Sequence, residues 1–236
     1  MHEYPGTTSH RSLLIRTADT TTATGVAAVA GGTAKAAEDP CADSKIPVVS
    51  SSEMNLDLER AALVVIDPQI GLLSPKGAAW PVLGQSATDT KAIQNLALLL
   101  RASKHAGITV AIALTSEVCG GPGSDFMPEL EKYIRDGETI ICSPHVLYSP
   151  LPRNDIAFRL RKRHVNQVII AGIIANLCIE FHLREFLEQG FEVAVVRDAV
   201  AGPKLVEGDG YLSVLFNFRH IANALWTTEE TVKRLG

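Results

Sequence analysis

The chain has 236 residues, 22 basic against 26 acidic side chains for a net charge of −4, and four cysteines. Hydrophobic residues make up 46% and charged residues 20%, which excludes a globally disordered chain and fits one core of ordinary size. The mild acidity argues against nucleic acid or an anionic membrane as the main partner, no run of about 20 apolar residues is available for membrane insertion, and four cysteines in this length are not a disulfide scaffold.

Residues 1–46 are rich in Thr, Ala and Gly, and the stretch from Thr20 to Gly32 carries no helical or strand period. Two readings stand open. In one, the segment is an export signal. Ser9-His10-Arg11-Ser12-Leu13-Leu14 resembles the twin-arginine motif with His10 at the first arginine, and Ala34-Lys35-Ala36 is a small-x-small cleavage pattern. Export would place the chain where disulfides form and Cys41 could pair. In the other, the segment is a tail that targets nothing and the protein is cytoplasmic. Both readings leave these residues outside the fold, which runs from about Asn55 to Gly236.

Ala61-Ala62-Leu63-Val64-Val65-Ile66 is a continuous apolar run ending at Asp67-Pro68, as in a strand buried on both faces. The segment Leu72–Gln85, with Trp80, reads as a loop. Apolar residues at helical spacing follow over Thr88–His105, closed by Gly107. A second strand covers Ile108–Leu114 and leads into the loop Thr115–Asp125. Thr139–Cys142 is a third strand, and Asn154–His164 is a basic amphipathic helix capped by Asn154 or Asp155. A fourth strand spans Asn166–Gly172. Asn176 is placed to cap the next helix, which ends near Gln189-Gly190. Phe191–Val196 forms a fifth strand and precedes Asp198. A helix over Asp209–Phe218, a short strand Ala222–Trp226 and a helix capped by Thr227 or Thr228 complete the domain. Strands alternating with helices at this spacing specify an α/β fold: a Rossmann-like, doubly wound, mostly parallel sheet of about six strands with helices on both faces.

Such sheets bind ligands beyond the carboxyl ends of their strands, where the strand order reverses. The polar residues following the strands are therefore the candidates: Asp67 and Gln69; Thr115, Ser116, Glu117 and Cys119; Cys142, Ser143 and His145; Asn176 and Cys178; and Asp198. Cys178 falls in the first turn of a helix, where free N–H groups and the helix dipole favour a thiolate and an oxyanion. Asp67 at a strand end is a candidate base. His182, four residues after Cys178, reads most simply as a surface residue of that helix. Cys119, Cys142, Cys178 and His145 match no zinc signature.

Three segments together carry a resemblance. Leu63-Val64-Val65-Ile66-Asp67-Pro68-Gln69, Ala171-Gly172-Ile173-Ile174-Ala175-Asn176-Leu177-Cys178-Ile179-Glu180 and Gly190–Ala199 resemble, in order and separation, the isochorismatase-like cysteine hydrolases. The resemblance implies a triad of Asp, Lys and Cys. Asp67 would be the base, Cys178 the nucleophile, and the backbone amides of Ile174 and Cys178 an oxyanion hole, with a cis peptide at Ile173–Ile174. The reaction implied is hydrolysis of a small amide, imide or ureido C–N bond through a thioacyl-enzyme. Gln69, Glu117, His145 and Asn176 are candidate substrate or auxiliary groups. The implied partners are a small-molecule substrate and further copies of the chain, as a dimer or tetramer; the apolar segment Tyr211–Trp226 fits either such an interface or plain core.

This sequence departs from the pattern at the lysine. Cys142-Ser143-Pro144-His145-Val146 is similar to a Ser-Pro-His-Lys segment of the family, with Val146 at the lysine position. Three explanations stay open: His145 or Lys204 supplies the cation, the chain is slow or is a non-catalytic member that binds a small molecule or a partner protein, or the reaction does without the lysine. The family's metal-binding branch uses an Asp and two His after the first strand. Residues 56–104 contain no His, so neither a metal nor another cofactor is expected.

Overall fold

In a computed structural model, residues 54–116, 123–146 and 154–236 are described. The run Ala61–Ile66 forms β1, and every one of its side chains is buried. The two-residue period of a strand sends Leu63 and Val65 to one side, and Ala62, Val64 and Ile66 to the other, into two separate cores. That double burial is why the sequence reads as uninterrupted apolar rather than alternating.

Parallel strands β2 (Thr109–Ala113) and β4 (Gln167–Ile173) flank β1. β3 (Ile140–Ile141) lies outside β2, while β5 (Glu192–Ala201) and the later β8 (Ala224–Trp226) extend the other side. The order is β3-β2-β1-β4-β5-β8, all parallel, with a two-stranded ribbon of β6 (Lys204–Leu205) and β7 (Gly208–Asp209) beside it. The chain winds outward from β1 through β2 to β3, then crosses back to β4 and winds the other way. The order therefore reverses between β1 and β4.

Helices α2 (Trp80–Asp89), α3 (Ala92–His105), α4 (Pro128–Ile134) and α8 (Thr228–Leu235) pack on one face. Helices α5 (Ile156–Arg161), α6 (Glu180–Glu188) and α7 (Gly210–Ile221) cover the other. Thr227 and Glu230 form a reciprocal capping box at the start of α8, and Asp209 caps α7 by accepting from the amides of Tyr211 and Leu212.

Several expectations change. The expected loop 72–85 holds the end of the short helix α1 (Ile70–Leu73) and the first half of α2, whose Trp80 covers Gly84 so closely that a Cβ there would meet the indole at 2.4 Å. The expected helix 88–105 is two helices, broken where Lys91 takes a positive φ of 52°. α4 also lies in a stretch with no predicted element. β5 runs five residues past Val196, so Asp198 lies within the strand; its carboxylate accepts from the amide and hydroxyl of Thr228 and anchors α8. In 211–226, Tyr211, Val214, Leu215 and Phe218 enter the core, and Leu212 and Phe216 stay exposed. No helix among the described residues is long and apolar enough to cross a membrane.

Candidate active site

The reversal between β1 and β4 brings the ends of these strands together, and their register pairs Ile66 with Gly172. Gly172 is required there. Its φ of +123° is rarely open to other residues, and a Cβ would lie 2.1 Å from the Ile66 carbonyl oxygen. The residue that follows β1 is Asp67, with a left-handed φ of 53° and its amide donating to the Ala113 carbonyl at 2.9 Å. Asp and Asn tolerate this conformation better than most residues.

After β4 the Ile173–Ile174 peptide is cis, as the resemblance implies. The chain then makes one π-helical turn, Ala175–Ile179, before α6 begins. The amides of Leu177 and Ile179 both donate to the Ile174 carbonyl, at 3.0 and 3.1 Å. Cys178 sits inside this wide turn rather than in the first turn of a regular helix, and its side chain is buried. Asn176 does not cap the helix. Its Oδ1 is instead packed against Gly210, where a Cβ would come within 2.7 Å of it.

His145 arrives from the far side. Beyond β2 the chain continues through Thr115, which bridges to His145 in parallel; the His145 amide donates to the Leu114 carbonyl and the Ser116 amide to the His145 carbonyl. This extension aims the imidazole inward. Nε2 of His145 lies 3.0 Å from Oδ1 of Asp67, and both side chains are fully buried. One side-chain donor atom from each of Asp67, His145 and Cys178 lies within 4.8 Å of the other two. Asp67 Oδ2 accepts no hydrogen bond among the described residues.

Burial pushes the Asp67 carboxyl above its ordinary range, because a desolvated carboxylate is costly. The His145 hydrogen bond and charge oppose this, as do the neighbouring Cys178 thiol and Thr115 amide. Asp67 is thus a stronger base than a solvated aspartate.

His182 is not a surface residue. It is fully buried on α6, and Nδ1 donates to the Cys178 carbonyl at 2.6 Å. That bond places the proton on Nδ1 and leaves Nε2 as a buried lone pair without a hydrogen-bond partner among the described residues. Its ring meets the His145 ring edge-on at 5.1 Å. Burial first, and the charge of His145 second, lower its pKa to about 3, so His182 is a neutral imidazole under the Cys178 turn. The spacing Ile179, His182–Leu183, Phe186 carried the signal, since it marks the inward stripe of the helix.

The remaining candidates separate. Gln69 is buried and its amide is engaged structurally: Oε1 accepts from the Thr115 amide at 3.1 Å and Nε2 donates to the Ser124 carbonyl at 3.4 Å. Glu117 and Cys119 lie outside the described residues, as does Cys41. Val146 is 48% exposed next to His145. Lys204 is held by Asp89 at 2.8 Å and Asp209 at 3.8 Å, on the β6–β7 ribbon rather than at Asp67. Cys142 is a buried thiol raised to about 12 by desolvation, with Asp155 adding to the rise, and is not part of the cluster. A cleft of about 330 Å³ between α3 and α8, lined by Leu98, Arg101, Ala102, His105, Val232 and Leu235, contains none of these groups.

Comparison with known proteins bears on the family and the fold. The family model for the isochorismatase domain matches residues 61–230. Ureidoacrylate amidohydrolase RutB of Azorhizobium caulinodans is 25% identical over 193 residues, covering 65% of this chain and 82% of that protein. The probable hydrolase YcaC of Escherichia coli K12 is 27% identical over 146 residues, covering 62% and 64%. Among solved structures, a cysteine hydrolase from Pseudomonas syringae pv. phaseolicola superposes with a TM-score of 0.67 at 19% identity, covering 81% of this chain and 98% of that one, and so shares its fold. With a domain match that begins at β1 and takes in Asp67, His145 and Cys178, the chain belongs to the isochorismatase family of hydrolases.

Proposed function

We propose that the protein is a cysteine-dependent hydrolase of a small amide, imide or ureido C–N bond, working with an Asp67–His145–Cys178 cluster in which His145 stands in for a lysine. The supporting observation is the buried contact of Asp67 with His145, beside the Cys178 thiol, at the point where the strand order reverses. Support for the substrate class comes from the chemistry of a thiol beside a raised carboxyl, and from RutB, a relative named as an amidohydrolase.

In this reading, Oδ2 of Asp67 takes the Cys178 proton while His145 Nε2–H donates to Oδ1 and holds the carboxylate in place. The thiolate adds to the substrate carbonyl, and the backbone amides of Ile174 and Cys178 receive the developing oxyanion. Asp67 returns the proton to the leaving nitrogen. The C–N bond breaks, ammonia or an amine departs, and a thioester remains. Water then adds to the thioester carbonyl as Asp67 takes its proton. Collapse of that adduct breaks the C–S bond, releases a carboxylic acid and returns the proton to sulfur. Imidazole replaces a fixed ammonium here, and the loss of such a cation costs on the order of 10²-fold in rate.

The test is turnover of a panel of small amides, imides and ureido acids by the wild type, Cys178→Ala and Val146→Lys. Wild-type turnover that Cys178→Ala abolishes is the expected result. Turnover by Val146→Lys alone, or by none of the three, overturns the reading in favour of a chain that only binds its ligand.

A further inference from the structure

We infer that the Asp67–His145–Cys178 cluster is also a high-affinity site for Zn²⁺, and that zinc occupancy blocks the thiol. This does not make zinc a resident cofactor, and it stands on geometry independently of the proposed reaction. Thiolate, imidazole and carboxylate are the three ligand types that zinc takes in proteins, and three such ligands leave a fourth position for water. A tetrahedral zinc with bonds of about 2.0–2.3 Å holds its donors about 3.3–3.6 Å apart. Here the imidazole and carboxylate atoms are 3.0 Å apart, and all three donor atoms lie within 4.8 Å of one another. Side-chain adjustments of about 1 Å therefore complete the site.

Three further features favour capture. Asp67 directly follows β1, Cys178 sits in the turn after β4 and His145 lies on the extension of β3, positions held by the folded sheet, so the ordering cost is already met by folding. Convergence from three strand ends is also why no zinc-like spacing exists in the sequence. Among the described residues no lysine or arginine contributes to the surroundings of the Asp67 carboxyl, so no fixed cation from them opposes a divalent ion there. Val146, the residue after His145, is exposed and uncharged. Finally, zinc takes cysteine as the thiolate and histidine through an unprotonated ring nitrogen, so binding at this set of ligands is coupled to proton release.

The experiment uses the full chain, reduced, in a Cys41→Ser, Cys119→Ser background that keeps Cys142 and Cys178 as the remaining thiols. Titration with zinc chloride in a calorimeter is expected to give one site per chain with proton release that scales with buffer ionisation. Cobalt(II) in its place is expected to show a thiolate-to-metal charge-transfer band. Cys178→Ser or His145→Gln should weaken binding by more than the 10- to 100-fold typical of losing an outer partner, and Cys142→Ser should leave it unchanged. Because a ligand variant can also misfold, folded protein alkylated at Cys178 by iodoacetamide provides a second loss test. Binding that survives Cys178 alkylation, a cobalt spectrum without the thiolate band, or no stoichiometric binding overturns the inference. Zinc binding in a protein that turns over no amide would defeat the proposed reaction and leave the zinc site standing; turnover without zinc binding would do the reverse.

Discussion

Replacing His182 by asparagine should flatten the acid limb of the stability curve. His182 is fully buried, and its pKa drops from 6.5 to about 3, chiefly through burial. A base with a depressed folded pKa contributes stability above its unfolded value and loses it as pH falls through the interval. In that interval the unfolded chain binds one proton more than the folded one, so stability falls by about 1.4 kcal/mol per pH unit. About 2 kcal/mol is gone by pH 5 and about 4 kcal/mol by pH 3, where half of the folded chains have taken up the proton. Asn Nδ2 can reproduce the 2.6 Å bond that Nδ1 donates to the Cys178 carbonyl, while the ring volume is lost at a cost of about 1–3 kcal/mol at pH 8. The variant is thus less stable at pH 8, and the two curves converge or cross near pH 5. Asp67 acts with the opposite sign, because its raised carboxyl favours the fold at low pH and costs stability as pH rises. It is present in both proteins, so the difference curve isolates His182, apart from its coupling to His145 across the 5.1 Å ring contact. Urea unfolding from about pH 8 to 4 measures the curves. Parallel curves with equal slopes between pH 6 and 4 would show that His182 is not buried neutral beneath Cys178.

Gly172→Ala should cost more than about 3 kcal/mol or give no soluble protein, because the methyl group would lie 2.1 Å from the Ile66 oxygen with φ at +123°; a melting temperature within a few degrees of wild type would contradict the close approach. Lys204→Met should change turnover less than twofold and stability by at most about 1 kcal/mol, since the lysine joins Asp89 and Asp209 at an exposed site; a large fall in turnover would return Lys204 to the list of catalytic cations. Thr227→Ala should lower stability by about 1–2 kcal/mol through loss of the capping box on α8, with amide turnover unchanged.

The sheet was legible in the sequence because its strands are buried on both faces. Apolar runs such as 61–66 and 168–173 have no polar alternative, and helices of the fold carry clear end signals, as at Thr227 and Asp209. The helices at 70–89 were not legible, since Gly, Pro and Ser punctuate a stretch whose helicity comes from packing Leu73, Leu83 and Ala87 onto the core. At the site, Asp67 and Cys178 follow from topology, because the residues after the strands are countable in one dimension. The contact between His145 and Asp67 does not, as it depends on a bridge of Thr115 to His145 beyond the formal end of β3. The lists of polar residues also could not separate Gln69, whose amide ties backbone together, from groups that face a ligand. His182 was misread because a polar residue was assigned to a polar surface, although its helical phase with Ile179 and Phe186 points inward.

The central claim is that Asp67, steadied by His145, activates the Cys178 thiol. Alkylation by iodoacetamide near neutral pH, followed site by site with peptide mass mapping, tests it in a single chain. Cys142 supplies the internal reference, a buried thiol held near 12. The account predicts that Cys178 reacts much faster than Cys142, and that Asp67→Asn slows Cys178 at least about tenfold while leaving Cys142 unchanged. Equal, slow labelling of both thiols, or a Cys178 rate indifferent to Asp67→Asn, would contradict it.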